Sequence, residues 1–242
     1  MDINSSHKTI PSVWKTFERT INGQLKTLWI QDFPEDQFEV ALDYLQKYFF
    51  RDEPMTKALK ILEDEIATKS FREIYKMILM KQQSLACFTK LETGEIKLVA
   101  LNCCMKKYKE EPEDFRKYIK GENLKKLLDI VEYVEKLKDP FETLNISEYL
   151  GSLALLVIPE YRGHNIGFEL LCARKPLSFA LGLKATITTF TAPSSQRSAE
   201  KAGFKDLTSF TYDEIEERNA DFKIPKINDY SKRIRFMYIL YE

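Results

Sequence analysis

The chain has 242 residues, 44% hydrophobic and 31% charged, a composition that excludes a disordered or fibrous protein and suits a single α/β domain. Its 37 basic and 37 acidic residues cancel, which removes the bulk charge that non-specific binding to nucleic acid or to a membrane surface needs. Apolar runs stay strand-sized, far short of the roughly 20 residues of a membrane span, and the opening residues lack the apolar stretch of a signal peptide. Neither a membrane nor a nucleic-acid partner is expected.

Residues 1–22 are polar and weakly patterned and read as a flexible arm, with Trp14 and Phe17 docking on a domain that fills 23–242. Residues 25–30 form a first short strand. Asp32 and Pro34 then open an amphipathic helix over 35–48, with Phe38, Ala41, Leu42, Leu45 and Phe49 at helical spacing. Ile66, Phe71, Ile74, Tyr75 and Ile78 mark a second helix ending near Lys81. Strands 84–89 and 96–104 are joined through a turn at Gly94, the clearest hairpin in the sequence.

The charged stretch 105–120 reads as a solvated loop and helix face. Leu124, Leu127, Leu128, Val131, Val134 and Leu137 define the next helix, and Pro140 stops it. The continuous apolar run 153–158 is expected to be a central strand covered on both faces. A glycine-bearing turn and a helix from Phe168 to about Ala180 follow. Strand 185–190, a small-residue loop, a helix through Ala202 with Gly203 as its cap, strand 207–211, a polar loop over 213–232 and strand 234–241 complete the chain. The order describes a mixed central sheet flanked by helices, without a regular βαβ repeat.

Four cysteines (Cys87, Cys103, Cys104, Cys172) include no CxxC pair, and only two histidines occur, so no metal site is expected and a reducing, cytoplasmic setting fits. With no distinct interface segment, a monomer is expected.

The stretch most suited to chemistry is the turn after strand 153–158. A buried strand, an Arg- and Gly-bearing turn and a helix start together make a generic anion cradle, because free N–H groups and the helix dipole converge there. Gly163 and Gly167 allow close backbone approach, Arg162 adds a cation, and the absence of a GK[ST] sequence excludes an ATP P-loop.

Arg162-Gly163-His164-Asn165-Ile166-Gly167 resembles the acyl-CoA signature of the GNAT acetyltransferase superfamily, Gln/Arg-x-x-Gly-x-Gly/Ala, with Asn165 where the first glycine is usual. Asparagine tolerates the left-handed conformation that such a loop uses. Phe49-Phe50-Arg51-Asp52-Glu53-Pro54 is similar to the FFxDEP segment of the insect arylalkylamine N-acetyltransferases, the dopamine N-acetyltransferase type. Residues 195–204 resemble their SARxxEKLGF helix. The similarity runs from about Leu25 to Tyr241, with the three segments at the expected separations.

The resemblance implies a GNAT fold with a V-shaped split between the fourth and fifth strands, here 153–158 and 185–190. It implies acetyl-CoA as co-substrate, its pantetheine arm beside Leu156, Val157 and Ile158 and its diphosphate on Arg162, Gly163, His164, Asn165, Ile166, Gly167 and Phe168. It makes Glu53 the general base for a small primary amine. Ser195 stands at the family's serine position and Thr191 keeps a hydroxyl at a second one. Phe49, Phe50 and Phe190 are expected to line the acceptor pocket, where an apolar, aromatic wall with one carboxylate suits an arylalkylamine. A polyamine, amino acid or peptide acceptor, or a degenerate non-catalytic domain, are the other readings.

Overall fold

The computed structural model describes residues 11–110 and 115–241. Residues 1–10 of the expected arm, and 111–114 of the charged stretch, lie outside the described residues.

Eight strands form one sheet in the order β1-β2-β3-β4-β5-β6-β8-β7. They are β1 (Val13–Ile21), β2 (Gln24–Asp32), β3 (Leu85–Lys90), β4 (Ile96–Tyr108), β5 (Glu148–Val157), β6 (Ala185–Phe190), β7 (Lys205–Thr211) and β8 (Arg233–Leu240). Every neighbouring pair is antiparallel except β5 and β6.

The first strand corrects the reading of 1–22 as a loose arm. Val13–Ile21 pairs with β2 through the two-residue turn Asn22-Gly23, both residues at positive φ. This is the tight hairpin geometry that matches strand twist. Counting β1 shifts the numbering, so the split expected between strands four and five falls between β5 and β6.

One face of the sheet carries α1 (Phe38–Tyr44), a π turn (Leu45–Phe49), α2 (Phe50–Asp52), α3 (Pro54–Ala58), α4 (Glu65–Met80), α5 (Glu122–Lys136) and α6 (Pro140–Leu144). Phe71, Ile74, Tyr75 and Ile78 of α4 and Leu127 and Ile130 of α5 build the larger core there. The helix expected over 35–48 is thus interrupted by one wide turn immediately before Arg51-Asp52-Glu53. Pro140 does not merely stop a helix; it opens α6, with Asp139 as cap. Helices α4 and α5 meet at Gly121, whose φ is +92° and where an added Cβ would lie 2.8 Å from Ala67 Cβ.

The opposite face carries α7 (Ile166–Ala180), whose Leu170 and Leu177 pack with Leu85, Val99, Leu150 and Ile158, and α8 (Pro193–Lys201), whose Ala199 packs with Leu171, Phe190 and Phe204. The polar segment 213–232, expected as a loop, contains α9 (Tyr212–Arg218). Thr211 and Glu214 close a capping box at its start, and Tyr212 and Ile215 point into the core. None of the helices among the described residues is long and apolar enough to cross a membrane.

Candidate active site

Strands β5 and β6 pair at a single position, Leu150 with Thr186. From there they diverge, and β5 from Gly151 to Val157 keeps its ladder to β4 alone. A bulge helps: Ala154 and Ser152 oppose the adjacent residues Cys103 and Cys104, leaving Leu153 as the extra residue, which bends the strand. This opening is the V-shaped split.

Two cavities meet in it. One, of about 640 Å³, lies on the α7–α8 face; the other, of about 740 Å³, lies among α4, α5 and α6. Phe49, Glu53, Ser152, Leu153, Thr188, Thr189 and Thr191 line both, so the split is a passage through the sheet. The strand 153–158, expected to be covered on both faces, is accordingly only half-buried at Leu153, Leu155 and Val157.

Glu53 stands at the junction. It caps α3, with Oε1 accepting from the Met55 N–H (3.1 Å) and Oε2 from the Thr56 N–H (2.7 Å). The Thr191 hydroxyl, arriving at the end of β6, donates to Oε1 at 2.6 Å. An ionised carboxylate offers about four acceptor sites, and three donors use them here, so one position on Oε2 stays available. The side chain is therefore both a helix cap and a wall of both cavities. Ser195 also lines the α7–α8 cavity, but its hydroxyl donates to the Ala192 carbonyl (2.9 Å) in the first turn of α8 and not to Glu53.

On the α7–α8 side the loop 162–167 has the form of a cradle. Gly163 and Asn165 adopt φ of +83° and +59°. The left-handed turn that asparagine was expected to tolerate is therefore taken at Asn165, directly before α7. Gly167 is helical, and an added Cβ would meet only Leu155, Val157 and Ser198 at 3.8–3.9 Å. The protein's own packing does not require glycine there; the space in front of it faces the cavity. Arg162 donates Nε–H to the Val157 carbonyl (2.9 Å) and pairs with Asp52 Oδ2 (2.7 Å). The Arg51 hydrogen bond, with Arg162 adding to it, holds the Asp52 carboxyl below the usual range against partial burial.

Leu156, Val157, Arg162, Gly163, Asn165, Ile166 and Gly167 all border this cavity. Ile158, His164 and Phe168 do not. Ile158 is buried in the core beneath α7. The His164 carbonyl accepts from Arg19 Nε at 3.0 Å, and Phe168 lies under the Lys201 ammonium. Arg19 and Lys15, both from β1, pair with Glu169, a buried carboxylate in the first turn of α7. The strand that the sequence reading treated as an arm thus holds the cradle from behind.

The cavity among α4–α6 has an aromatic and aliphatic wall that includes Phe49, Phe71, Tyr75, Phe141 and Tyr149. Two expected wall residues lie elsewhere. Phe50 is 1% exposed and stacks on Phe71 at 4.9 Å, inside the core. Phe190 borders the opposite cavity and packs edge-on against Phe204. Sequence reasoning also passed over Glu135, which accepts from the Thr189 hydroxyl (2.6 Å), and Arg174, buried at the vertex of the split. Glu135 shows only as a charge on an amphipathic helix and Arg174 as one basic residue of a helix, so neither carries a local signal.

No protein-family model and no curated protein matches the chain. Among solved structures, an insect protein assigned as arylalkylamine N-acetyltransferase 7, from the yellow fever mosquito Aedes aegypti, is 31% identical, with a TM-score of 0.89 and 98% of each chain covered. Arylalkylamine N-acetyltransferase 2 of the same mosquito is 16% identical at TM-score 0.74, over 89% of this chain and 99% of that one. Drosophila melanogaster polyamine N-acetyltransferase, an enzyme that forms N-acetylagmatine, is 20% identical at TM-score 0.70, over 88% and 99%. These last two likenesses speak for the fold.

Proposed function

The chain belongs to the insect arylalkylamine N-acetyltransferase family of the GNAT superfamily, and from that premise we propose that it transfers an acetyl group from acetyl-CoA to a small primary amine, with Glu53 as general base. The observation that carries this reading is the position of the Glu53 carboxylate, where cavities on opposite faces of the sheet meet in the β5–β6 split.

The α7–α8 cavity fits an acyl-CoA on its own geometry. It offers the unpaired edge of β5, the N-terminus of α7, Arg162, and at Gly167 a backbone open to a ligand. Bound there, acetyl-CoA supplies an activated acyl carbon with a thiolate as leaving group. The remaining work falls to the chain. The aromatic cavity takes the body of the amine and excludes water. Glu53 attracts the ammonium and removes a proton, because only the neutral amine has a lone pair to attack with. Thr191, donating to Oε1, holds the carboxylate in place while Oε2 keeps one acceptor position. Ser195 stands in the cavity wall, suited to orienting the thioester arm or a water molecule.

The wall formed by α5 supports a compact acceptor over a peptide laid along an open groove. A second reading, an acceptor with a second cationic group, is favoured by Glu135, which adds a carboxylate to the same cavity through Thr189.

The test is release of free CoA from acetyl-CoA with tyramine, dopamine, serotonin, agmatine, spermidine, glycine and a short peptide as acceptors. Turnover with the aromatic amines, lowered about 10²–10⁴-fold in Glu53→Gln, is the expected result. Preference for agmatine or spermidine would select the second reading. Absence of both turnover and CoA binding would refute acyl transfer.

A further inference from the structure

Arg174 is the only Lys or Arg among the described residues that is fully buried, at 0% exposure. It projects from α7 into the vertex of the split. Nη2 donates to the carbonyl of Leu150 (2.6 Å), the one β5 residue that pairs with β6, and Nη1 donates to Thr188 Oγ1 (2.7 Å), two residues beyond its partner Thr186 on β6. The Thr186 hydroxyl shares the Leu150 carbonyl at 2.9 Å. Nε is buried without an acceptor.

No carboxylate pairs with this guanidinium among the described residues. The titratable groups facing it are Cys104 from β4 and Tyr241 beyond β8, and the Phe204 ring lies 5.7 Å from Cζ. Burial pushes the Cys104 thiol up to about 11 and the Tyr241 hydroxyl up to about 12, so both are neutral. A buried cation without a counter-anion is costly, and arginine cannot escape the cost by losing its proton. One carbonyl and one hydroxyl offset only part of it.

The hydroxyl is the informative partner. Thr188 borders both cavities, midway between the vertex and the Glu53–Thr191 contact, with Glu135 bonded to its neighbour Thr189. Its oxygen accepts from Arg174 while its hydrogen goes to the Ile187 carbonyl at 2.8 Å. A hydroxyl that accepts from a cation becomes a stronger donor, and one side-chain torsion turns that hydrogen into the split.

We infer that Arg174, acting through Thr188, stabilises the negative charge that forms on the thioester sulfur as CoA departs. The inference rests on the acyl-transfer reading. In that step the amine lone pair forms the C–N bond and the C–S bond breaks with its electron pair leaving on sulfur. The ammonium proton that Glu53 removed has by then passed to water, and the second proton, released from nitrogen as the C–N bond forms, passes to the Glu53 carboxylate. The products are the amide, the CoA thiolate and a protonated Glu53, which then returns its proton to sulfur or to water. Arg174 is a positioning residue here; the Thr188 hydroxyl is the group that meets the sulfur.

The test compares the affinities of CoA and desulfo-CoA by calorimetry from pH 6 to 9, in the wild type, Arg174→Met, Arg174→Lys and Thr188→Val, alongside kcat. A free thiol has a pKa of about 8.5. If the site lowers the bound thiol by about one unit, CoA gains about tenfold over desulfo-CoA as pH rises through the bound value, and the gain levels off above the free one. The wild type is expected to show this rise, Arg174→Lys to keep part of it, and Arg174→Met and Thr188→Val to flatten it while kcat falls about 10²-fold. Should Arg174→Met not fold, the lysine and valine variants decide alone. A wild-type ratio independent of pH, or one that both of those variants leave unchanged, overturns the inference and leaves acyl transfer standing. A wild type that binds no CoA overturns both.

Discussion

Replacing Glu53 by glutamine separates the two duties that one carboxylate performs. Glutamine keeps one oxygen that accepts, but its NH₂ stands either at the Oε1 position, facing the Met55 N–H and the Thr191 hydroxyl, or at the Oε2 position, facing the Thr56 N–H, and cannot accept from them. One side of the network is lost. A hydrogen bond to a charged group contributes about 1.5–3 kcal/mol and a helix cap about 1, so the expected destabilisation is about 1–3 kcal/mol. For a domain of this size that lowers Tm by about 2–10 °C and leaves the protein folded at 25 °C. Loss of a general base costs about 10²–10⁴ in kcat, equivalent to about 3–5 kcal/mol of transition-state stabilisation. The assay is the initial rate at saturating acetyl-CoA over a range of amine concentrations across pH, with Tm and CoA affinity measured on the same preparations. In the variant kcat/KM is expected to climb about tenfold per pH unit as solvent supplies neutral amine, while the wild type levels off. A variant with kcat within threefold of wild type, together with a lower Tm, would refute the base and leave Glu53 a helix cap.

Gly167→Ala is expected to move stability and binding in opposite directions. Its Cβ meets neighbours only at ordinary contact distance in a helical backbone, so Tm without ligand rises, by about 0.5–1 kcal/mol in stability, while CoA affinity measured by calorimetry falls about tenfold. Arg19→Gln takes one of two cations from the buried Glu169 carboxylate and releases the His164 carbonyl. With Lys15 still in place and Arg19 partly exposed, a loss of about 1–2 kcal/mol is expected in denaturant titrations, together with weaker CoA binding. Cys87, Cys103 and Cys104 are buried, with their thiols pushed up by desolvation, whereas Cys172 is half-buried and pushed up less far. Thiol titration of the native protein should therefore label Cys172 first and the other three only after unfolding; prompt labelling of Cys103 would contradict the packing of β4.

How far the sequence speaks depends on how local the physics is. Helices α4 and α5 follow from apolar spacing, because each buries one face and shows it in the periodicity. The cradle was legible for a related reason: close backbone approach and left-handed turns restrict residues one position at a time, and Asn165 meets that restriction without being glycine. Strand β1 was missed although Asn22-Gly23 announces a hairpin; an edge strand covered on one side shows too little apolar alternation to be read. Thr211-x-x-Glu214 announced α9 just as plainly. The placements of Phe50 and Phe190 differ in kind. Which way an aromatic ring turns is decided by Phe71 and Phe204, partners remote in sequence, and no local pattern carries that information.

Arg174 shows why the remainder is invisible in one dimension. On the helix it is a residue between Ala173 and Lys175; only the sheet makes it costly. The β5–β6 split leaves seven residues of β5 without a ladder partner on one side. The buried guanidinium replaces part of that ladder by bonding to Leu150 on one strand and, through Thr188, to the other. Both features lower the stability of the ligand-free protein: unmade backbone hydrogen bonds forgo about 1 kcal/mol each, and an unpaired buried cation adds a desolvation penalty. A ligand that supplies amide groups to the β5 edge and negative charge at the vertex answers both at once. The protein should therefore gain more thermal stability from CoA than from a 3′-phosphorylated adenosine diphosphate fragment at equal concentration. Equal gains would mean that the diphosphate cradle binds alone and that the split is indifferent to what enters it.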